Sequence, residues 1–269
     1  MDRKTILITG GRGFIGSYLK QHYSNDYTVY APERSRLDFT NADSVGHFFD
    51  THKVDIVIHT ALAGRNNING VDQLQAQQNM DMFNNLWRNK HKFGKLINMG
   101  TGNEFDTTTN IDCAPEDMLF AKLPLASYAY AKNLIARVCR NTENFTNLRL
   151  FGVYHHSENA VRFFRRLKSA NTTFNIFQDQ QFDFFNLEDL PTVIDTVIDG
   201  VEFNDINVAY KDKFYLSEMA RQFADIHNIP QSLISIDAVG SNHFTANVSK
   251  IETLNLKLKG LDHGFRLYK

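Results

Sequence analysis

A doubly wound parallel α/β sheet is the fold this sequence predicts, and three observations predict it. The chain opens on a β-branched and leucine run, Thr5-Ile6-Leu7-Ile8-Thr9, which breaks into Gly10, Gly13 and Gly16 where an apolar-periodic segment (Phe14, Ile15, Leu19) begins. Strand-like runs at Tyr27–Ala31, Val54–His59 and Lys95–Met99 then alternate with helix-patterned segments. A length of 269 residues with 42% hydrophobic and 22% charged content suits one large domain with a small appendage.

Composition removes several classes of function. A net charge of −1 leaves no electrostatic footprint for nucleic acid or an anionic membrane surface. Cys113 and Cys139 are too few and too far apart for a disulfide framework or a zinc site, so no metal is expected. Met1 to Lys4 lead straight into the first strand without a secretory pattern, and no apolar run reaches membrane-spanning length; a soluble cytoplasmic protein is the default.

Strand, glycine turn and helix in that order are the layout of a Rossmann-type dinucleotide site. Gly10 allows the tight turn, Gly13 the close approach of backbone to pyrophosphate and Gly16 the packing of helix on strand, while the helix start at Phe14 and Ile15 directs N–H groups and positive dipole at the anion. An acid ending the second strand would favour NAD through the ribose hydroxyl. That end is Ala31-Pro32 followed by Glu33-Arg34-Ser35-Arg36. With Arg12 in the glycine turn, Arg34 and Arg36 can surround a 2′-phosphate, so NADP is favoured over NAD, with Glu33 as the counterargument. Taken singly, the same arginines also read as exposed loop residues.

Next, Thr40 and Asp43 have capping-box spacing, and Val45, Phe48 and Phe49 form an apolar helical stripe assigned to the core. His59 ends a buried strand and reads as a packed polar residue. Arg65–Gly70 is a polar loop, and a long helix is expected from Val71 to Asn89. The strand Lys95–Met99 runs into Gly100-Thr101-Gly102, and Ser127-Tyr128-Ala129-Tyr130-Ala131-Lys132 opens a helix. Tyr128 and Lys132 lie one turn apart on one face, whereas Tyr130 points elsewhere. A phenol with a pKa of about 10 is a poor acid–base catalyst at neutral pH. An ammonium about 4 Å away stabilises the phenolate by about 4 kcal/mol at an effective dielectric of about 20, about three pKa units.

The glycine turn, Thr101 at a strand end, Tyr128 and Lys132 together resemble the extended short-chain dehydrogenase/reductase family, most of all its nucleotide-sugar 4-ketoreductases and GDP-fucose synthase-like members. That resemblance implies a catalytic set of Thr101, Tyr128 and Lys132, with Lys132 also holding the nicotinamide ribose. It implies that Asp38 and Phe39 meet the adenine, although Asp38 also reads as a turn residue, and that Ala61, Leu62 and Ala63 lie against the nicotinamide ribose. Asn79 would brace that backbone, and the long helix would form a homodimer interface. Asn103 would line the substrate pocket, with no cysteine beside it of the kind that double epimerisation uses. Gly152, Val153 and His155 fall where substrate is contacted. A helix from Asn159 to Ser169 carries Arg165 and Arg166, which can grip a nucleotide diphosphate or form a solvated face. In the loop from Asn175 to Phe184 the family's diphosphate-binding arginine is Phe182.

The implied architecture is a dinucleotide-binding domain over 1–152, rejoined by 183–205, and a substrate-binding region over 153–182 and 206–269. The implied function is an NADP(H)-dependent reductase of a nucleotide-linked keto-sugar, most simply a 4-keto-6-deoxyhexose. An NAD-dependent 4-epimerase and a catalytically silent dinucleotide sensor are the alternatives.

Overall fold

The computed structural model describes residues 3–64, 73–240 and 242–269. The loop Arg65–Gly70 and the expected helix start at Val71 lie outside the described residues. In chain order the elements are β1 (Thr5–Thr9), α1 (Phe14–Tyr23), β2 (Thr28–Tyr30), α2 (Ala42–Thr51), β3 (Ile56–His59), α3 (Gln73–Arg88), β4 (Lys95–Thr101), β5 (Ile111–Ala114), α4 (Ser127–Arg140), β6 (Phe145–Leu150), β7 (Gly152–Tyr154), α5 (Phe163–Lys168) and β8 (Phe174–Ile176). They continue with β9 (Phe184–Asn186), α6 (Leu190–Asp199), β10 (Asp205–Val208), α7 (Leu216–Ile226), β11 (Ile234–Ile236), β12 (Phe244–Ala246), α8 (Ser249–Thr253) and α9 (Gly260–Arg266). Among the described residues no helix is long and apolar enough to cross a membrane.

The chain divides into two compact units, the first made of Met1–Asp106, Asp117–Arg149 and Ile194–Ile206. A six-stranded sheet runs in the order β10-β6-β4-β3-β1-β2, and β1 pairs in parallel with both β2 and β3. Strand order reverses at β1 and β3, which opens a crevice beyond their carboxyl ends. Leu7, Val57 and Leu96 from the sheet pack with Phe83, Leu86, Ile135 and Phe145 in one apolar core. The predicted stripe on α2 behaves as expected, with Val45 and Phe49 buried. Its cap does not: Asn41, not Thr40, is the N-cap, and its Oδ1 accepts from the Ser44 N–H at 2.9 Å. Thr40 is instead drawn back onto Asp38, which takes both its amide and its hydroxyl.

The second unit comprises Thr107–Glu116, Leu150–Val193 and Asn207–Lys269. It holds three two-stranded sheets, β7-β9, β12-β5 and β11-β8, around an aromatic core that includes Tyr154, Phe164, Phe174, Phe223 and Phe265. Residues 183–193 therefore belong to this unit rather than returning to the nucleotide-binding domain, and 107–116 join it. The reason is polar as well as apolar: β9 pairs with β7, and Asp183 accepts from Lys213 Nζ and the Ala246 N–H, each at 2.7 Å. The stretch expected to be a loop from Asn175 contains most of β8, paired with β11. The expected helix from Asn159 begins only at Phe163, because Arg162 has extended backbone and its guanidinium donates to the Val153 carbonyl.

Asp189 ties this unit together. Its carboxylate accepts from Tyr210 Oη at 2.5 Å and from the Lys259 and Gly260 amides at 2.7 and 3.0 Å. Asp189→Ala is expected to lower the unfolding free energy by about 3 kcal/mol, since it strands three donors at once. A fall in the urea midpoint at unchanged m-value checks this.

Candidate active site

The glycine turn is built as the sequence implies. Gly10 has φ +69°, and the Gly13 N–H donates to its carbonyl at 2.8 Å. A Cβ on Gly16 would stand 2.3 Å from the Gly10 oxygen, and one on Gly10 would stand 2.7 Å from Ala61 Cα. So α1 lies directly on β1, and the turn after β1 abuts the turn after β3. No side chain caps α1 and no acid sits in its first turn, which keeps its amide end suited to an anion. These are the features a dinucleotide pyrophosphate needs.

The predicted 2′-phosphate cluster is exposed and already paired in part. Arg12 meets Glu33 at 3.4 Å and Arg34 meets Asp38 at 3.1 Å. Asp38 Oδ1 accepts from the Thr40 N–H and hydroxyl at 2.9 and 2.7 Å, so it serves the turn. Slight burial raises the Asp38 carboxyl, but Thr40 and Arg34 hold it below the usual carboxylate range. Phe39 is a core side chain whose carbonyl accepts from Asn85 at 2.9 Å.

At the end of β3 the resemblance is met in detail. Asn79 Oδ1 accepts from the Ala63 N–H at 2.8 Å, and its Nδ2 donates to the Ala63 carbonyl at 3.3 Å, bracing the turn of Ala61, Leu62 and Ala63. Thr9 Oγ1 accepts from the Thr60 and Ala61 amides at 3.2 and 3.1 Å and therefore donates to His59 Nδ1, 2.8 Å away. Burial, helped by the Lys132 ammonium, pushes His59 down to about 3, so the ring is a neutral packing group.

The next strand end holds the residues expected to be catalytic. Thr101 closes β4, and its Oγ1 accepts from the Asn103 N–H at 3.3 Å. Tyr128 is half-buried in the first turn of α4, while Lys132, one turn on and 6% exposed, donates to the Met99 carbonyl at 2.9 Å. That bond fastens the helix to the strand two residues before Thr101. Tyr130, the rejected competitor, is exposed.

Beneath this lies a feature that strand periodicity did not disclose. Arg149, wholly buried, donates from Nε to Glu104 Oε2 at 2.7 Å and from Nη2 to Asp205 Oδ2 at 2.9 Å. Asn147 Nδ2 joins the same two carboxylates, each at 3.0 Å. Burial pushes the Glu104 carboxyl up against the pull of Arg149. The available signal was the charge inside an otherwise strand-like run, Phe145-Thr146-Asn147-Leu148-Arg149-Leu150.

The expected substrate residues of the second unit are more occupied than the sequence suggests. Gly152 is covered by Phe182, whose Cε1 a Cβ would approach to 2.6 Å, and Val153 is buried. Phe182 stacks on Phe244 with centroids 5.2 Å apart. The Arg166 guanidinium lies over the Phe174 ring, whereas Arg165 is half-buried. His155 is buried, with Nδ1 2.7 Å from Ser157 Oγ, and burial with His156 beside it lowers its pKa to about 4. His155, His156 and Glu188 bring one ligand atom each within 4.8 Å, but Glu188 also holds Lys259 and His263, at 2.8 and 3.0 Å.

A glycine turn at a sheet switch point, followed by threonine at a strand end and tyrosine and lysine on the adjoining helix, defines the class of nucleotide-dependent short-chain oxidoreductases. The chain belongs to the NAD dependent epimerase/dehydratase family, whose model matches residues 6–209. No curated protein sequence matches it significantly. Among solved structures it is similar to a GDP-mannoheptose C4 reductase from Campylobacter jejuni with NADP bound, at 20% identity, TM-score 0.82 and coverage of 99% of this chain and 97% of that one. A GDP-D-glycero-L-gluco-heptose synthase from the same organism, in the presence of NADPH, gives 18% identity, TM-score 0.85 and coverage of 100% and 97%. A dTDP-glucose 4,6-dehydratase from Bacillus anthracis in complex with NAD gives 13%, TM-score 0.80 and coverage of 98% and 95%.

The buried neutral His59 has a consequence for stability. Its folded-state pKa lies below the unfolded value of 6.5, so its contribution is complete above pH 6.5 and is lost as pH falls toward about 3. Stability should drop by about 1.4 kcal/mol per pH unit across that window from this group. In urea titrations, His59→Asn is expected to flatten the slope.

Proposed function

We propose that this chain is a cytoplasmic NADP(H)-dependent reductase of a nucleotide-linked keto-sugar, most simply a 4-keto-6-deoxyhexose. The observation that carries the reading is the bond from Lys132 to the Met99 carbonyl, which locks the face of α4 bearing Tyr128 to the strand end bearing Thr101. Ala61 to Ala63 would lie against a nicotinamide, which when bound would supply the hydride. Tyr128 gives its phenolic proton to the carbonyl oxygen as that oxygen gains charge. Thr101 Oγ1, accepting from Asn103, keeps its own hydrogen to donate to the same oxygen. The Lys132 ammonium stabilises the phenolate and holds the ribose hydroxyls. The glycine turn and the α1 amides bind pyrophosphate, with Arg12, Arg34 and Arg36 available to a 2′-phosphate. Similar structures, one named as a GDP-mannoheptose C4 reductase with NADP bound and one as a GDP-heptose synthase in the presence of NADPH, support the cofactor, and the first supports the reductive direction.

On the substrate side Asn103 and His155 are the proposed contacts and Arg165 the proposed diphosphate ligand. Gly152, Val153 and Arg166 act through packing. The reading includes a homodimer through α3, which leaves Leu74 65% exposed. One observation favours the NAD-dependent 4-epimerase instead: Glu33 lies within reach of Arg12, where a 2′-phosphate would compete with it.

NADPH oxidation against a panel of nucleotide 4-keto sugars tests the proposal. Tyr128→Phe is expected to lose at least about a hundredfold in kcat with cofactor affinity retained, and Thr101→Ala somewhat less. Full turnover in Tyr128→Phe would refute the mechanism. Co-purified NAD with no net consumption of NADPH would move the assignment to the epimerase, and cofactor binding without turnover of any member to the silent sensor.

A further inference from the structure

Glu104 occupies a place that the proposed chemistry does not explain by itself. Resting on that catalytic reading, we propose that Glu104 is the positioning residue of the site: its buried carboxylate, braced by Arg149, fixes the backbone of Thr101 and supplies the negative charge that faces the Lys132 ammonium.

Three observations carry this. The Glu104 side chain spans from the single helical turn Gly102–Glu104 back to the strand end, where Oε1 accepts from the Thr101 N–H at 2.8 Å. Its backbone carbonyl accepts from Asn133 Nδ2 at 2.7 Å, and Asn133 is the neighbour of Lys132 on α4. One residue thus holds both the strand end with Thr101 and the helix with Tyr128 and Lys132.

Room for that carboxylate exists only because residue 100 is glycine. A Cβ there would stand 2.4 Å from Glu104 Oε1 and 2.6 Å from Asn147 Oδ1. The constraint is steric rather than conformational, since Gly100 does not have a positive φ. A small residue just before Thr101 and an acid three residues after it form one unit.

Charge is the third observation. The three hydrogen bonds to the Glu104 oxygens, from Thr101, Arg149 and Asn147, all come from donors, which suits a carboxylate rather than a carboxylic acid. Arg149 from β6 is shared between Glu104 and Asp205 of β10, and Arg140 of α4 also reaches Asp205 at 4.0 Å, so Asp205 has two guanidinium partners and Glu104 has Arg149. The Lys132 ammonium, whose neighbour Asn133 holds the Glu104 carbonyl, adds to the pull that favours the Glu104 carboxylate. Cys139 on α4, held as a thiol by burial, and His59 on β3, neutral through burial, add no charge. The Glu104 carboxylate therefore favours the ammonium on which the Tyr128 phenolate depends.

The test is titration of the apo protein labelled with 13Cζ-tyrosine, the Tyr128 resonance being assigned by its loss in Tyr128→Phe. The wild-type midpoint is expected well below the ordinary tyrosine value of about 10, and Glu104→Gln is expected to raise it by about one unit, a tenfold weaker acid. Gln keeps an acceptor for the Thr101 amide while removing the charge and the acceptor that Arg149 and Asn147 share. Gly100→Ala is the second variant: it leaves every charge in place but displaces the carboxylate, and amide exchange at Thr101 is expected to accelerate at least about tenfold. If Glu104→Gln does not fold, Gly100→Ala decides. An ordinary wild-type midpoint overturns the catalytic reading of Tyr128. A depressed wild-type midpoint that neither folded variant shifts, with Thr101 exchange unchanged, overturns the role of Glu104 and leaves that reading standing.

Discussion

The approach of α1 to the carboxyl ends of β1 and β3 is the constraint from which the nucleotide-binding unit follows. Gly16 touches the Gly10 carbonyl and Thr60, while Gly10 touches Ala61, so two successive crossovers converge on one small patch. Side chains at either glycine would separate helix from sheet and crowd the place where the strand order turns. Because the contact is made of backbone, a ligand arriving there meets amides and the helix dipole rather than side chains. Thr9 completes the joint, tying the turn after β3 to β1 through its hydroxyl.

The buried ionic cluster is a different kind of investment. Moving two carboxylates and a guanidinium out of water costs several kcal/mol per ion, and well-packed apolar side chains of the same volume would often be as stable or more so. Stability therefore does not account for Glu104, Arg149 and Asp205. Geometry does: fork-like bonds from Arg149 leave little rotational freedom to either carboxylate. Phe105 lies under the guanidinium at 4.6 Å, and Asn98 hands Asn147 a further donor. A directional network of this type favours one arrangement of β4, β6 and β10, whereas apolar packing tolerates small slips.

How much of this was legible in the sequence depended on whether a signal was local. Gly10, Gly13 and Gly16 announce a turn through residue type and spacing, and Tyr128 with Lys132 announces a face of one helix, so both were readable. Asn79 was readable only through resemblance, because one Asn in a Gln-rich helix has no local signature. Glu104, Arg149 and Asp205 come from three separate segments, and nothing in any one of them says that the other two are opposite. Helix starts failed for a related reason. Thr40 and Asn159 both precede acceptable helical patterns, yet each was overruled by a nonlocal or neighbouring acceptor: Asp38 takes Thr40, and Arg162 is held extended by Val153 and Glu158.

The second unit shows where the same scaffold is free to vary. At the position where resemblance places a diphosphate-binding arginine, Phe182 packs between Phe184 and Phe244, with centroids 4.7 and 5.2 Å away. A cation there would have had to leave an aromatic stack or bury its charge in it, and either choice costs more than relocating the function. Polar anchors such as Asp183 and Asp189 meanwhile pin β9, the start of α6 and the approach to α9 from within. The framework can therefore keep its shape while the ligand-facing side chains change, and the folds similar to this one at 13 to 20% identity include both a reductase and a dehydratase.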